Sequence, residues 1–515
     1  MRLFAFIIYF VVVLAIGIVF FFKSRKSAGE KEYFLGGRGM GPWVTAMSAQ
    51  ASDMSGWLLM GFPGSILAFG MGQMWIGIGL ALGTALNWII VAKRLRRFSN
   101  AANDSITLPQ YLTNRFATAN PILKIVCAVI FLVSFTVYVA SAFNAGTKVF
   151  VAVLPQLQGK EGLAMVIFAV VILIYTFMGG YKAVCWTDFF QGLLMLVAIL
   201  AVPIMMKSAG TFDTQYTEVF KEGVSAFNTN PFTADWREIT SGLAWGLGYF
   251  GMPHIIVRFM SIKKPSMIKK ASTVAIVWVV LTLGAAVMIA YFGRSFILSN
   301  GESLAATLLP GNQANVFINV VLDLFPAFIA GLLLAAIVAA SMSTADSQLL
   351  VASSSFTSDI YKPIIRKGKA SEKETLWIGR VVVIIIAVVA FVIAYSGLQG
   401  DNKWAGSIMS MVENAWGLFG ASFGPVVILS LFWKRFNYQG AVAGIVGGAV
   451  VDILWLILFT DTVMTPVICD TGVYEILPGF VCGAIISIIV TLCTKAPSPE
   501  VCSIYERAVD ESIDD

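Results

Sequence analysis

Residues 45–57 read Thr-Ala-Met-Ser-Ala-Gln-Ala-Ser-Asp-Met-Ser-Gly-Trp. Ser48, Gln50, Ser52, Asp53, Ser55 and Gly56 interrupt a segment that is otherwise apolar enough to cross a bilayer. An aspartate at the centre of a membrane helix costs about 2.5–3.5 kcal/mol on insertion scales. Ser, Asp and Gly also favour local alternatives to the helix. A broken helix frees carbonyl groups, and these persist at membrane depth only where they line a cavity or coordinate something. Two readings follow. Either Asp53 serves packing, hydrogen-bonded to neighbouring helices, or the break forms a cation or solute site.

A matching defect lies further on, at Trp245-Gly-Leu-Gly-Tyr-Phe-Gly-Met-Pro-His254. Three glycines and a proline break another apolar segment. A third feature is the hydroxyl cluster Ser341, Ser343, Thr344 and Ser347, expected at the end of its span. Single hydroxyls in membrane helices often bond back to the previous turn, so each has a structural reading of its own. Four within seven residues favour a ligand face. A hard monovalent cation such as sodium wants oxygens, and carbonyls plus hydroxyls supply them without a second buried charge.

The elements that must position these residues follow from composition. Of 515 residues, 58% are hydrophobic and 12% charged. Counting glycine and omitting tyrosine, the apolar share is roughly 64%, against about 45–50% in soluble domains. A soluble fold, a disordered chain and a nucleic-acid binder are all excluded. The net charge of +6 is modest and sits in loops. Six cysteines without a CxxC pair make no disulfide scaffold, and the single histidine, His254, rules out a multi-histidine metal site. No GxSxG, HExxH or Walker sequence occurs, so enzymatic hydrolysis and ATP-driven pumping lack their parts.

Thirteen segments qualify as spans, near 3–22, 43–70, 73–92, 122–152, 162–178, 187–206, 239–257, 272–293, 314–344, 378–396, 408–433, 438–459 and 473–493. The first is too long for a signal-peptide core and is expected to be a retained helix. Loops after odd-numbered spans hold 27 of the 35 Lys and Arg, including Lys23, Arg25, Lys26, Arg38, Arg258 and Lys434. The positive-inside rule then puts the N-terminus outside and the C-terminus in the cytoplasm of a cell (inner) membrane protein.

The two breaks open two possible five-helix units, spans two to six and seven to eleven. Five is odd, so the second unit enters from the opposite face, as in an inverted repeat. The expected organisation is an extra helix and loop (1–42), a first unit (43–206), an outer loop (207–238), a second unit (239–433), two extra helices (434–495) and an acidic, solvated tail (496–515).

Together these segments resemble the sodium/solute symporter family. The resemblance runs from Tyr33-Phe-Leu-Gly-Gly-Arg38 to the last span. It is carried by residues 51–61, 245–254 and 340–344, with the signatures Gly179-Gly-Tyr-Lys-Ala-Val-Cys-Trp-Thr-Asp188 and Gly420-Ala-Ser-Phe-Gly-Pro425. It implies an all-α, leucine-transporter-type fold, with one helix added before the repeats and two after. It implies sodium-coupled uptake of L-proline by alternating access, without an organic cofactor. Another small amino acid or a monocarboxylate is the alternative, and a non-transporting sensor a remote one.

The family's sodium site would use the carbonyls of Ala51, Met54 and Ala340 and the hydroxyls of Ser343 and Thr344, with Asp53 alongside. Its substrate residues would be Ser55, Gly56, Tyr138, Trp245, Tyr249 and Pro253. Asp188 would serve sodium release or gating; its other reading is a charge complement at a helix N-terminus. One departure is Met252, where the family often carries Gln; it bears on substrate choice and leaves the sodium site unaffected. Oligomeric state is not written in the sequence.

Overall fold

The computed structural model describes residues 1–24, 30–178, 180–209, 227–299, 302–400 and 402–510. Arg25 and Lys26 of the first basic loop, Gly179 of the glycine signature, residues 210–226 of the long loop and residues 511–515 of the tail lie outside the described residues.

The described residues are overwhelmingly helical, as the apolar pattern requires. Ten helices among them are long and apolar enough to cross a membrane. They are the first (Arg2–Ser24), third (Met71–Ala101), fourth (Ile122–Val153), sixth (Tyr181–Ala209), eighth (Pro265–Ser299), ninth (Ala327–Ile365), tenth (Glu372–Leu398), eleventh (Ile408–Phe432), twelfth (Tyr438–Phe459) and thirteenth (Ile476–Cys493) spans. The fifth is shorter, at Glu161–Met178. The second and seventh are each made of two pieces. The second runs Pro42–Asp53, then a π turn Trp57–Gly61 and the helix Phe62–Phe69. The seventh runs Trp236–Ala244, then tightens over Trp245–Phe250 and restarts at Pro253–Ser261.

Packing sorts the spans into two groups. The second, third, seventh and eighth pack on one another, and so do the fourth, fifth, ninth and tenth. These are the first two and next two helices of each five-helix unit. The fifth helix of each unit, spans six and eleven, lies against the broken helix of a unit: six on the second span, eleven on the seventh. The inverted-repeat architecture thus appears as a packing pattern. Spans three and seven meet backbone to backbone. A Cβ on Gly79 would fall 2.3 Å from the Gly242 carbonyl, and one on Gly83 2.3 Å from that of Gly246. Small residues four apart on both helices permit this approach.

Two sequence expectations need correction. The ninth span does not run 314–344. A short helix, Val316–Leu324, stops at Phe325-Pro326, and the crossing helix starts at Ala327. The residue before a proline is driven to extended backbone, and Phe325 has φ −110° and ψ 144°. The hydroxyl cluster therefore lies mid-helix rather than at a helix end. The tail is also not simply solvated. Pro499–Val509 is a helix whose Val501, Ile504 and Ala508 are buried. Tyr505 lies beneath the guanidiniums of Arg94 and Arg115, and its hydroxyl accepts from Arg94 Nη2 at 3.0 Å.

Several arginines counted as loop cations are structural. Arg38 is 7% exposed. It donates to Asp104 Oδ1 at 2.7 Å, Ser99 Oγ at 3.0 Å, the Met260 carbonyl at 2.5 Å and the Ser105 carbonyl at 2.8 Å. It thereby ties the loop after the first span to the ends of spans three and seven. Partial burial raises the Asp104 carboxyl, but Lys31 and Arg38 outweigh it and hold the group below its usual range. A depressed carboxyl contributes stability above its unfolded value, near pH 4, and loses it as pH falls further.

Candidate functional site

The two breaks and the hydroxyl cluster meet at the centre of the helix assembly. Helical geometry in the second span stops at Asp53, and Met54 has φ −84° and ψ 79°. Each freed carbonyl needs a partner. That of Ala51 accepts from Ser343 Oγ at 2.8 Å. The same hydroxyl lies 3.2 Å from the Ala340 carbonyl. Three of the oxygens expected to hold sodium therefore cluster around Ser343. Thr344 Oγ1, also expected there, is buried without a hydrogen-bond partner, and so is Ser341 Oγ. Buried oxygens in this state are suited to a hard cation.

The Asp53 carbonyl accepts from Tyr138 OH and from the Trp57 indole N–H, both at 3.3 Å. The Asp53 side chain is fully buried. Its Oδ2 accepts from Tyr249 OH at 2.6 Å, and its Oδ1 has no partner. Asp53 thus touches the seventh span's break directly. Ser55 Oγ accepts from Trp57 N–H at 3.4 Å. Gly56 faces the fourth and ninth spans. A Cβ there would sit 2.5 Å from Ala145 Cβ and 3.0 Å from Ser341 Oγ.

Two carbonyls of the seventh span's tightened segment are also met from neighbouring helices. That of Trp245 accepts from the Trp416 indole at 2.8 Å, and that of Tyr249 from Asn87 Nδ2 at 2.9 Å. Met252 is extended and fully buried, and Pro253 opens the next helix, where its missing N–H costs nothing. Pro253 shapes the break without joining the hydrogen-bonded set. The Trp245 ring is flanked by Trp57 at 6.3 Å, Trp416 at 6.5 Å and Tyr474 at 5.2 Å between centroids. On the Tyr474 side it borders a cavity of about 400 Å³, also lined by Glu413, Glu475, Glu238 and Arg237.

Asp188 lies apart from this set. Its Oδ2 accepts from Ser48 Oγ at 2.7 Å and Arg258 Nη2 at 3.1 Å, with both charged side chains buried. Arg258 also reaches Ser347 Oγ at 2.5 Å and the His254 carbonyl at 2.6 Å. One ion pair thus joins spans two, six, seven and nine. Two expectations change. The sixth helix starts at Tyr181, two turns before Asp188, so Asp188 is no N-terminal charge complement. Arg258, counted as a loop cation, lies inside the protein because a buried carboxylate requires a counter-ion.

Sequence reasoning missed Trp57, Trp416, Tyr474 and Arg258. The aromatics carried no signal, since an aromatic in an apolar helix is ordinary. Arg258 carried one: the unpaired Asp188 demanded a cation within reach.

Residues 33–448 match the model of the "Sodium:solute symporter family". The chain belongs to this family. The symporter is 44% identical over 498 residues to sodium/proline symporter 2 of Staphylococcus saprophyticus, covering 95% of this chain and 92% of that one. It is 42% identical over 499 residues to the sodium/proline symporter of Staphylococcus aureus, with the same coverage. Among solved structures it resembles a Na+-coupled sialic acid symporter in a substrate-bound, outward-open state, with a TM-score of 0.74 and 19% identity over 96% of this chain and 98% of that one. It also resembles MhsT in complex with L-phenylalanine, with a TM-score of 0.53 and 15% identity over 87% and 97%. At these identities the structures speak for the fold alone, which is of the leucine-transporter type.

Proposed function

We propose that this symporter carries L-proline into the cell together with sodium, by alternating access. The observation that carries the reading is the 42–44% identity, along 95% of the chain, to proteins named sodium/proline symporters. Sodium would bind the carbonyls of Ala51, Met54 and Ala340 and the hydroxyls of Ser343 and Thr344, with Asp53 beside them. The clustering of Ala51, Ala340 and Ser343 oxygens within 3.2 Å supports this. Proline would lie among Ser55, Gly56, Tyr138, Trp245, Tyr249 and Pro253. Its carboxylate would meet N–H groups exposed at a half-helix N-terminus, and its ring would pack on the aromatics.

Sodium would order the second span's break and so complete the solute pocket. Both ligands together would then permit one helix group to rock against the other. One charge crossing about 100 mV gains about 2.3 kcal/mol, enough for roughly 50-fold accumulation before the sodium concentration gradient is counted. Asp188 is assigned to gating or sodium release, because its ion pair ties four spans that must shift against one another.

The basic loops are assigned to the cytoplasm, with the N-terminus outside. Cys469, exposed between the last two spans, then faces outward and should react with an impermeant maleimide on intact cells. Labelling only after permeabilisation reverses the orientation. Substrate choice is tested by competition against labelled proline uptake. Unlabelled L-proline should compete at the lowest concentration. A different amino acid or a monocarboxylate competing more strongly refutes the assignment and puts Met252 under suspicion.

A further inference from the structure

We infer that Trp416 is a positioning residue for sodium coupling. It holds the seventh span's break in the shape that lets Tyr249 engage Asp53. The inference rests on the proposed function and extends it to the eleventh span.

The Trp245 carbonyl heads the tightened segment Trp245–Phe250 and is met there from outside its own span. The Trp416 indole N–H donates to it at 2.8 Å. The approach requires Gly248, because a Cβ there would fall 1.9 Å from the indole nitrogen. The same indole stands edge-on to the Tyr249 ring, with centroids 5.0 Å apart and planes at 84°. One side chain therefore fixes a carbonyl at the start of the break and an aromatic ring four residues later. The Tyr249 backbone is held separately by Asn87, so the ring's remaining freedom is rotation about its own side-chain bonds. Trp416 limits that rotation from the face of the eleventh span. The hydroxyl so directed donates to Asp53 Oδ2 at 2.6 Å. No hydrogen bond joins Trp416 to Asp53, Ser343 or Thr344, so its influence on them passes through Tyr249.

The test is sodium activation of labelled proline uptake in proteoliposomes, normalised to inserted protein, for Trp416→Phe, Tyr249→Phe and the double variant. Phe at 416 keeps an aromatic ring and deletes the N–H. The expected result is a rise in half-saturating sodium of roughly three- to tenfold, the usual worth of one hydrogen bond. For Trp416→Phe the maximal rate at saturating sodium and proline should change little. Tyr249→Phe should give a comparable shift, and the double variant no more than the larger single one, because the two act in series. An unchanged sodium dependence, a loss confined to maximal rate, or shifts that multiply in the double variant overturn the inference. Should Trp416→Phe fail to insert, Trp416→Tyr, which moves the donor, must show the same shift.

If the wild-type protein takes up no proline, the proposed function fails. The inference is then read from sodium-dependent protection against thermal unfolding. The midpoint of that protection must move to higher sodium in the Trp416 variant, and an unmoved midpoint overturns it.

Discussion

Tyr249 donates its hydroxyl to Asp53 Oδ2 at 2.6 Å, joining the broken second and seventh spans across the centre of the protein. Each break starts one five-helix unit, so this hydrogen bond couples the two halves of the fold at the edge of both breaks. The other Asp53 oxygen has no partner.

Asp53→Asn keeps an acceptor for Tyr249 and removes the charge. Half-saturating sodium should rise on the order of tenfold to a hundredfold, taking the lost charge as worth about as much as a charge-assisted hydrogen bond. The amount inserted should stay normal. Sodium titrations of uptake check this, and an unaltered sodium affinity removes Asp53 from the account.

Ser343→Ala takes away the hydroxyl that links the Ala51 and Ala340 carbonyls. Sodium activation should weaken by about tenfold, and raising sodium should recover the proline KM. A variant whose proline KM stays high at saturating sodium would place Ser343 on the solute instead.

Gly56→Ala puts a Cβ 2.5 Å from that of Ala145. Overpacking of this kind costs about 1–3 kcal/mol, and here it falls on the break itself. Uptake should collapse while insertion persists. Adding Ala145→Gly should restore part of the uptake, leaving the milder contact with Ser341. Restoration with no effect of the single change, or none at all, contradicts the packing argument.

Asp188→Asn leaves Arg258 charged, buried and short of its counter-ion. Breaking one side of such a pair costs about 3–5 kcal/mol. Thermal unfolding in detergent should show a clear loss of stability. Asp188→Asn combined with Arg258→Gln should recover much of it, and equal stability of the single and double variants refutes the pairing.

The spans and both breaks were legible because hydropathy, glycine, proline and intramembrane polar groups are local signals. The clustering of hydroxyls at 341–347 was legible for the same reason. Its depth was misjudged, because the effect of Pro326 on Phe325 is conformational and leaves hydropathy unchanged. Trp416 and Tyr474 were illegible, since nothing local separates an aromatic that faces a break from one that faces lipid. Arg258 was misplaced in a loop because a charge ends an apolar window, although Asp188 called for it. The helix at 499–509 escaped notice because its buried stripe of Val501, Ile504 and Ala508 is sparse in an acidic segment.

A sodium gradient is expected to drive proline uptake through this protein. Purified protein in sealed liposomes, given labelled L-proline, tests it with an inward sodium gradient, with an inward proton gradient, and with neither. Accumulation above equilibrium is expected only with the sodium gradient, enhanced by an inside-negative potential. Accumulation that follows the proton gradient and ignores sodium would contradict it.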